Sequence, residues 1–190
     1  MVTLVRIVVS GTHASGKSTL ISDFALRHPQ FTVLPDPFEL LDESGDVPSA
    51  GVFASQLRVT ADRLTKETHG GDLIAERGPL DFLAYLLALA DLTGRPLDDG
   101  LLERATARTT EALRTVDVLV VLPLTARDPI HVSADEHLDL RAAMNDILLE
   151  LLDDPDIIGE EIRVVEVTGT PGERLAAVEA LRGDDSPPSR

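Results

Sequence analysis

The sequence predicts a three-layer α/β/α domain built around a parallel sheet of about five strands. Three observations predict it. Short aliphatic runs alternate with amphipathic stretches, and most of these runs are near-continuous Val, Ile and Leu, the pattern of strands covered by helices on both faces. A glycine-containing turn lies directly between the first run and the first helical stretch. The 190 residues suffice for one domain with a sizeable core but not for two comfortable ones. Residues 1–182 are therefore expected to form a single domain.

The elements follow in order. The first strand is expected over Leu4–Ser10 and the first helix over Lys17–Arg27, which His28-Pro29 ends. A strand at Phe31–Leu34 precedes a helix over about Ser49–Lys66, and a third strand follows at Leu73–Ala75. In the helix Leu80–Leu92, Phe82, Tyr85, Leu86 and Leu89 recur at i, i+3, i+4 and i+7, which places them on one buried face. Gly94 stops that helix and Pro96 can open the next, about Pro96–Arg114. The strand Val116–Leu122, the helix Asp135–Leu152, the strand Val164–Val167 and the helix Gly172–Leu181 complete the chain. The tail 183–190 has no apolar residue to anchor it and is expected to be disordered.

Composition excludes several classes. Hydrophobic residues at 43% and charged residues at 26% describe an ordinary soluble globular chain, and no apolar run is long enough to cross a bilayer, so no membrane partner is expected. The first residues lack the basic start and small-residue cleavage site of a secretory leader, and read as a strand instead. Cysteine is absent, which rules out disulfides and thiolate metal sites and suits a reducing, cytoplasmic interior. The formal charge of −16, from 33 acids against 17 bases, repels polyphosphate backbones, so nucleic acid is not an expected partner. A small anionic substrate stays open, because a local cluster of donors overrides the global field at close range.

The turn after the first strand is Gly11-Thr12-His13-Ala14-Ser15-Gly16-Lys17-Ser18, which fits GxxxxGK[ST] in the strand-to-helix context that a phosphate-binding loop requires. Glycines let the backbone wrap closely around phosphate oxygens, so that successive N–H groups and the positive helix end point inward. Lys17 would reach the β and γ phosphates of a nucleotide. Ser18 would offer its hydroxyl to Mg²⁺, with Thr19 as the weaker candidate. A chance turn before a helix is the plain alternative. His13 reads more readily as a packing or solvent-facing residue than as a catalyst.

Asp72-Leu-Ile-Ala-Glu76-Arg77-Gly78-Pro-Leu-Asp81-Phe-Leu-Ala-Tyr85 resembles the strand-end signature of nucleoside and nucleotide kinase-like P-loop proteins. In particular it is similar to the small bacterial ATPase/kinase domains related to nicotinamide riboside kinases. With the phosphate loop and Gly169-Thr170-Pro171-Gly172-Glu173-Arg174, the resemblance spans nearly the whole chain. It implies a P-loop NTPase fold, ATP and Mg²⁺ as donor and cofactor, and a small-molecule acceptor. Independently of the resemblance, Glu76 closes a strand on the carboxyl edge, where open α/β sheets bind ligands; its carboxylate could hold Mg²⁺ directly or through water. Arg77 could grip an acceptor or the transferring phosphoryl, or the two residues could simply cap the next helix. Asp81 could orient Arg77 or serve as a first-turn helix acid.

Further roles follow only from the resemblance. In the related kinases an acid after the second strand takes the acceptor hydroxyl's proton or aligns that hydroxyl; Asp36, between Pro35 and Pro37, is the matching position, with Glu39 as a spare. Gln56 and Arg58 fall in the segment that lines the acceptor pocket. Phe38, Phe53, Phe82 and Tyr85 fall in acceptor-side segments, where stacking a base and ordinary core packing both stay open. Residues 124–140 match a mobile lid whose arginines close over the phosphates, with Arg127 and Arg141 as candidates. Where relatives show Asp-Gly-x-Arg, this chain has Asp128-Pro-Ile-His131. The turn Gly169, Thr170, Pro171 matches the segment that packs beside the adenine.

The expected activity is Mg-ATP-dependent phosphoryl transfer to a nucleoside- or nucleotide-like acceptor, with Lys17, Asp36, Arg77, Arg127 and Arg141 as the catalytic candidates. A nucleotide-dependent regulatory ATPase, or a binding module that has lost turnover, is the alternative. A GTPase is disfavoured, because with no lysine beyond Lys66 there is no Asn-Lys-x-Asp base-reading stretch. A homodimer is compatible with the sequence, which does not distinguish an apolar interface from core.

Overall fold

A computed structural model describes residues 4–37, 48–66, 71–125 and 137–181. Glu39, Phe38, Arg127, Asp128–His131, Asp135 and the tail lie outside the described residues. The element order is β1 Arg6–Ser10, α1 Lys17–Arg27, β2 Thr32–Leu34, α2 Ala50–Lys66, β3 Leu73–Glu76, α3 Pro79–Thr93, α4 Asp99–Leu113, β4 Val118–Val121, α5 Leu138–Leu152, α6 Pro155–Ile158, β5 Arg163–Glu166 and α7 Pro171–Ala180. The five strands form one parallel sheet in the order β2-β3-β1-β4-β5. β1 is thus central, with Val9 level with Glu76 on one side and Val120 on the other.

Alternation along β1 divides the core into two layers. Ile7 and Val9 pack with Leu20, Phe24 and Val178 of α1 and α7, whereas Val8 packs with Leu80, Leu83 and Met144 of α3 and α5. All of these side chains are buried. β1, β3 and β4 are apolar because both of their faces are covered; β5, on the sheet edge, keeps Arg163 and Glu166 exposed at its ends. Each change of sheet neighbour across β1 opens a crevice at the carboxyl ends of the strands, and the phosphate-loop sequence emerges there.

The differences from expectation are local. Leu4 is exposed and outside the ladder, so β1 begins at Arg6. α4 begins at Asp99 rather than at Pro96, because the Asp98 carboxylate accepts the Leu101 N–H at 2.9 Å and makes Asp98 the cap. The short α6 was not expected from the sequence. Asp154 caps it through the Asp156 N–H at 2.9 Å and Pro155 opens it, which drives Ile157 and Ile158 into the core. Among the described residues no helix is long and apolar enough to cross a membrane.

Candidate active site

The loop between β1 and α1 owes its shape to its residue types. Gly11 takes φ +150°, and a Cβ there would meet the Leu122 carbonyl and the Ser15 hydroxyl at 2.8 Å, so only glycine lets the chain leave the sheet this closely. Gly16 takes φ +93° to turn into α1. Lys17, the first residue of α1, is 3% exposed and donates to the Thr12 carbonyl at 2.6 Å and toward the Ser15 hydroxyl at 3.4 Å. Burial, and then the neighbouring Arg77 charge, lower its pKa from 10.5 to about 7, against the opposing pull of Asp81, Asp36 and Glu76. An anion placed on the loop would add the opposite charge and return the proton.

Three side chains from β3 and α3 brace the loop. Asp81, fully buried, accepts from the Ser10 hydroxyl at 2.8 Å, the Gly11 N–H at 2.8 Å and the Gly78 N–H at 3.0 Å. It is both a first-turn acid of α3 and the acceptor that ties the loop's first residues down. It also lies 4.0 Å from the Arg77 guanidinium, an ion-pair contact beyond hydrogen-bond range. The Tyr85 hydroxyl meets the Thr12 hydroxyl at 3.1 Å and accepts the His13 N–H at 3.0 Å, while its ring stacks on Phe53 at 4.9 Å. Glu76, the last residue of β3, accepts the Ser18 hydroxyl at 2.6 Å.

Arg77 joins the two sides of the site. It sits at φ +65°, a left-handed conformation that costs a residue with a Cβ about 1–2 kcal/mol, yet its N–H still continues the ladder to the Val9 carbonyl at 3.0 Å. Its guanidinium donates to Asp36 at 2.6 Å and to the Gly11 carbonyl at 3.2 Å, and lies over the rings of Phe82 and Tyr85. Burial opposes that charge, but Tyr85, Asp36 and Asp81 together outweigh it and hold the group charged above the ordinary arginine range. The Asp36 backbone is itself anchored by Arg63 of α2, which donates to the Pro35 carbonyl at 2.7 Å.

Lys17, Ser18, Glu76, Arg77 and Asp36 thus converge at the carboxyl edge of the sheet. Thr12 and Ser15 are buried in the loop, and Thr19 is exposed at the start of α1. Arg141 of α5 reaches the loop as well, donating to the His13 carbonyl and the Ala14 carbonyl at 3.1 Å each. Gly169, Thr170 and Pro171 form the turn into α7, where the Thr170 N–H and hydroxyl each meet Glu173 at 2.8 Å and hold its carboxyl below the ordinary range. Gln56 and Arg58 part company. Two residues along a helix are about 200° apart, and Gln56 is fully buried while Arg58 is exposed on a groove of about 480 Å³ between α2 and α4. Neither atom of the Gln56 amide has a partner among the described residues.

Sequence reasoning missed the bracing role of Tyr85 and the reach of Arg174. Arg174 donates to the Gly169 carbonyl and to the Ser15 carbonyl, both at 2.7 Å. One signal was available: a cation in the first turn of a helix opposes the macrodipole, so Arg174 needed another reason to be there.

The donor set accommodates a nucleotide and Mg²⁺. A serine hydroxyl and a carboxylate 2.6 Å apart are hard oxygens of the kind Mg²⁺ takes alongside phosphates and water. Among the described residues there is no cluster of three acidic or imidazole groups that would form an all-protein metal cage.

The architecture and this site define a three-layer α/β/α P-loop fold. No protein-family model and no curated protein sequence matches the chain. Solved structures do. Thymidylate kinase from Candida albicans superposes with a TM-score of 0.64 at 18% identity, over 95% of this chain and 91% of that one. Deoxyadenosine kinase from M. mycoides gives 0.69 at 14% identity over 94% and 98%. The NadR protein gives 0.65 at 17% identity over 98% of this chain and 51% of that one, so the chain spans about half the length of NadR. At these identities the shared property is the fold.

Proposed function

We propose that the chain is a Mg-ATP-dependent phosphotransferase that moves the γ-phosphoryl of ATP to a nucleoside- or nucleotide-like acceptor. The observation that carries this reading is the single guanidinium of Arg77, which bonds both the acid at the end of β2 and the first carbonyl of the phosphate loop. A pure nucleotide switch has no need for a second acid set against its loop. Two of the neighbours are a thymidylate kinase and a deoxyadenosine kinase, and NadR was solved in complex with NAD and AMP-PNP, which supports the acceptor class.

In this reading Lys17 and the loop amides hold the β and γ phosphates, and Ser18 with Glu76 would hold Mg²⁺, which supplies charge neutralisation between donor phosphates. Asp36 accepts the proton of the acceptor hydroxyl as its oxygen bonds to the γ phosphorus; the bond from phosphorus to the bridging oxygen breaks and ADP leaves with the electron pair. Arg77 spreads its donors over the oxygens of the transferring group. Arg127, outside the described residues, stays a candidate from the resemblance alone, and Gly169–Pro171 are assigned to the segment beside the adenine. Gln56 faces the acceptor, whose polar edge would satisfy the unpaired amide. We place the reaction in a reducing, cytoplasmic compartment, which a chain without cysteine suits.

The test is incubation with Mg-ATP and a panel of nucleosides and nucleotides, followed by detection of phosphorylated acceptor. Transfer to one class, abolished in Asp36→Asn, supports the proposal. Hydrolysis of ATP that no acceptor alters selects the regulatory ATPase instead.

A further inference from the structure

Five consecutive carbonyls of the phosphate loop each accept a hydrogen bond from a cationic side chain. Arg77 takes Gly11, Lys17 takes Thr12, Arg141 takes His13 and Ala14, and Arg174 takes Ser15. The four cations come from the β3–α3 junction, α1, α5 and α7, on both sides of the sheet. This concentration occurs in a chain with only 17 bases against 33 acids. Meanwhile the N–H groups of Ala14, Ser15 and Gly16 donate to no acceptor among the described residues.

Peptide geometry links the two facts. In a planar trans peptide the carbonyl of one residue and the N–H of the next point in opposite directions. Fixing the carbonyls of His13, Ala14 and Ser15 therefore turns the N–H groups of Ala14, Ser15 and Gly16 to the other side, away from the arginines. Each arginine is set by its own helix. α5 is seated by Leu140, Met144 and Leu148 in the core and by Asn145, which accepts the Leu124 N–H at 2.8 Å. α7 is seated by Leu175 and Val178, and its Arg174 is 5% exposed.

We infer that Arg141 and Arg174 are positioning residues that preorganise the anion cup by clamping the outer, carbonyl side of the loop. They act on donor affinity through the amides of residues 14–16 and do not touch the transferring phosphoryl group. Arg174 also bonds the Gly169 carbonyl, so it ties the cup to the turn proposed to lie beside the adenine and sets the span between phosphate and base sites. The inference rests on the nucleotide reading and adds to it a division of labour among the arginines: Arg77 works on the reacting groups, and Arg141 and Arg174 work on the loop.

The experiment measures Arg141→Gln, Arg174→Gln and the corresponding Lys variants of the full chain, using tripolyphosphate, Mg-ATP and adenosine as calorimetric probes and amide exchange of residues 14–16 in the free protein. In the Gln variants tripolyphosphate and Mg-ATP should bind about tenfold more weakly, because two charge-assisted hydrogen bonds that hold the loop are lost or weakened. Adenosine binding should be unchanged for Arg141→Gln, kcat at saturating Mg-ATP should stay within about threefold, and the loop amides should exchange faster. Lysine, which keeps one donor, should recover part of the affinity. A kcat that falls about a hundredfold with tripolyphosphate affinity intact would place Arg141 on the transferring group and overturn the inference. Unchanged affinity and exchange in the folded Gln variants overturns it too. If the unmodified protein binds neither tripolyphosphate nor Mg-ATP, the nucleotide reading itself fails; if it binds both and the Gln variants behave like it, the clamp alone fails.

Discussion

The side chains that brace the phosphate loop and the buried Gln56 of α2 differ in how their polar groups are met. Around the loop, Ser10, Thr12, Lys17, Arg77, Asp81 and Arg174 are all buried and all bonded to other protein groups. On α2, Thr60 is satisfied by the Gln56 and Leu57 carbonyls of its own helix, but the fully buried Gln56 amide bonds nothing among the described residues. An unpaired buried polar group costs about 1–3 kcal/mol. The side-chain bracing around the loop is therefore finished before any ligand arrives, with the amides of residues 14–16 left open, whereas α2 keeps a buried side-chain amide without a partner among the described residues. Under the proposed function, rigid bracing suits a donor that is constant, and an unpaired amide suits an acceptor that must be recognised.

Breaking the finished side should have the largest effects. Asp81→Ala leaves the Ser10 hydroxyl and the Gly11 and Gly78 N–H groups without their acceptor, and we expect a loss of about 3–5 kcal/mol in urea unfolding. Asp81→Asn, which keeps a carbonyl acceptor, should lose less. An unchanged midpoint for the alanine variant would show that the loop does not depend on this carboxylate. Next in size, Lys17→Ala should lower turnover about a hundred- to a thousandfold while the protein stays folded, by analogy with removal of one preorganised donor. Full activity in that variant would remove the loop from the chemistry.

Effects on the unfinished side should be smaller and of opposite sign. Gln56→Met removes an unpaired amide at similar volume, so the free protein should gain about 1 kcal/mol in thermal or urea unfolding. The same variant should raise the KM of a polar acceptor. Loss of stability would mean that the amide is already satisfied.

The smallest effect is a proton. In the free protein Lys17 titrates at about 7 against an ordinary 10.5, so the folded state releases its proton at lower pH than the unfolded chain does. Between those values the unfolded chain binds more protons, and the stability of the free protein should rise with pH across that window, with the whole penalty present below it. Mg-ATP should return the charge, taking up about half a proton at pH 7 and approaching one proton a unit or two above it, visible as a buffer-dependent binding heat. Lys17→Met should flatten both responses; a buffer-independent heat in the unmodified protein would exclude a depressed Lys17.

How much of this was legible depends on chain distance. The spacing of Gly11, Gly16, Lys17 and Ser18, the aliphatic strands, and Glu76-Arg77 at a strand end are local patterns, and local backbone preferences and face periodicity determine them without reference to the rest of the chain. The sequence by itself therefore determined the parallel sheet, the loop and the carboxyl-edge location of the candidate site. Only the tertiary structure decided which partners complete that loop. Tyr85 meets His13 across 72 residues, Arg141 meets it across 128, and Arg174 meets Ser15 across 159. It also decided that Gln56 turns inward while Arg58 turns out, and that α4 starts at Asp99 under an Asp98 cap rather than at Pro96. Such contacts are set by strand order and by the angle at which each helix docks. A hydrogen bond only a few tenths of an ångström wide in its tolerance depends on both, and neither is written in the spacing of residues along one element.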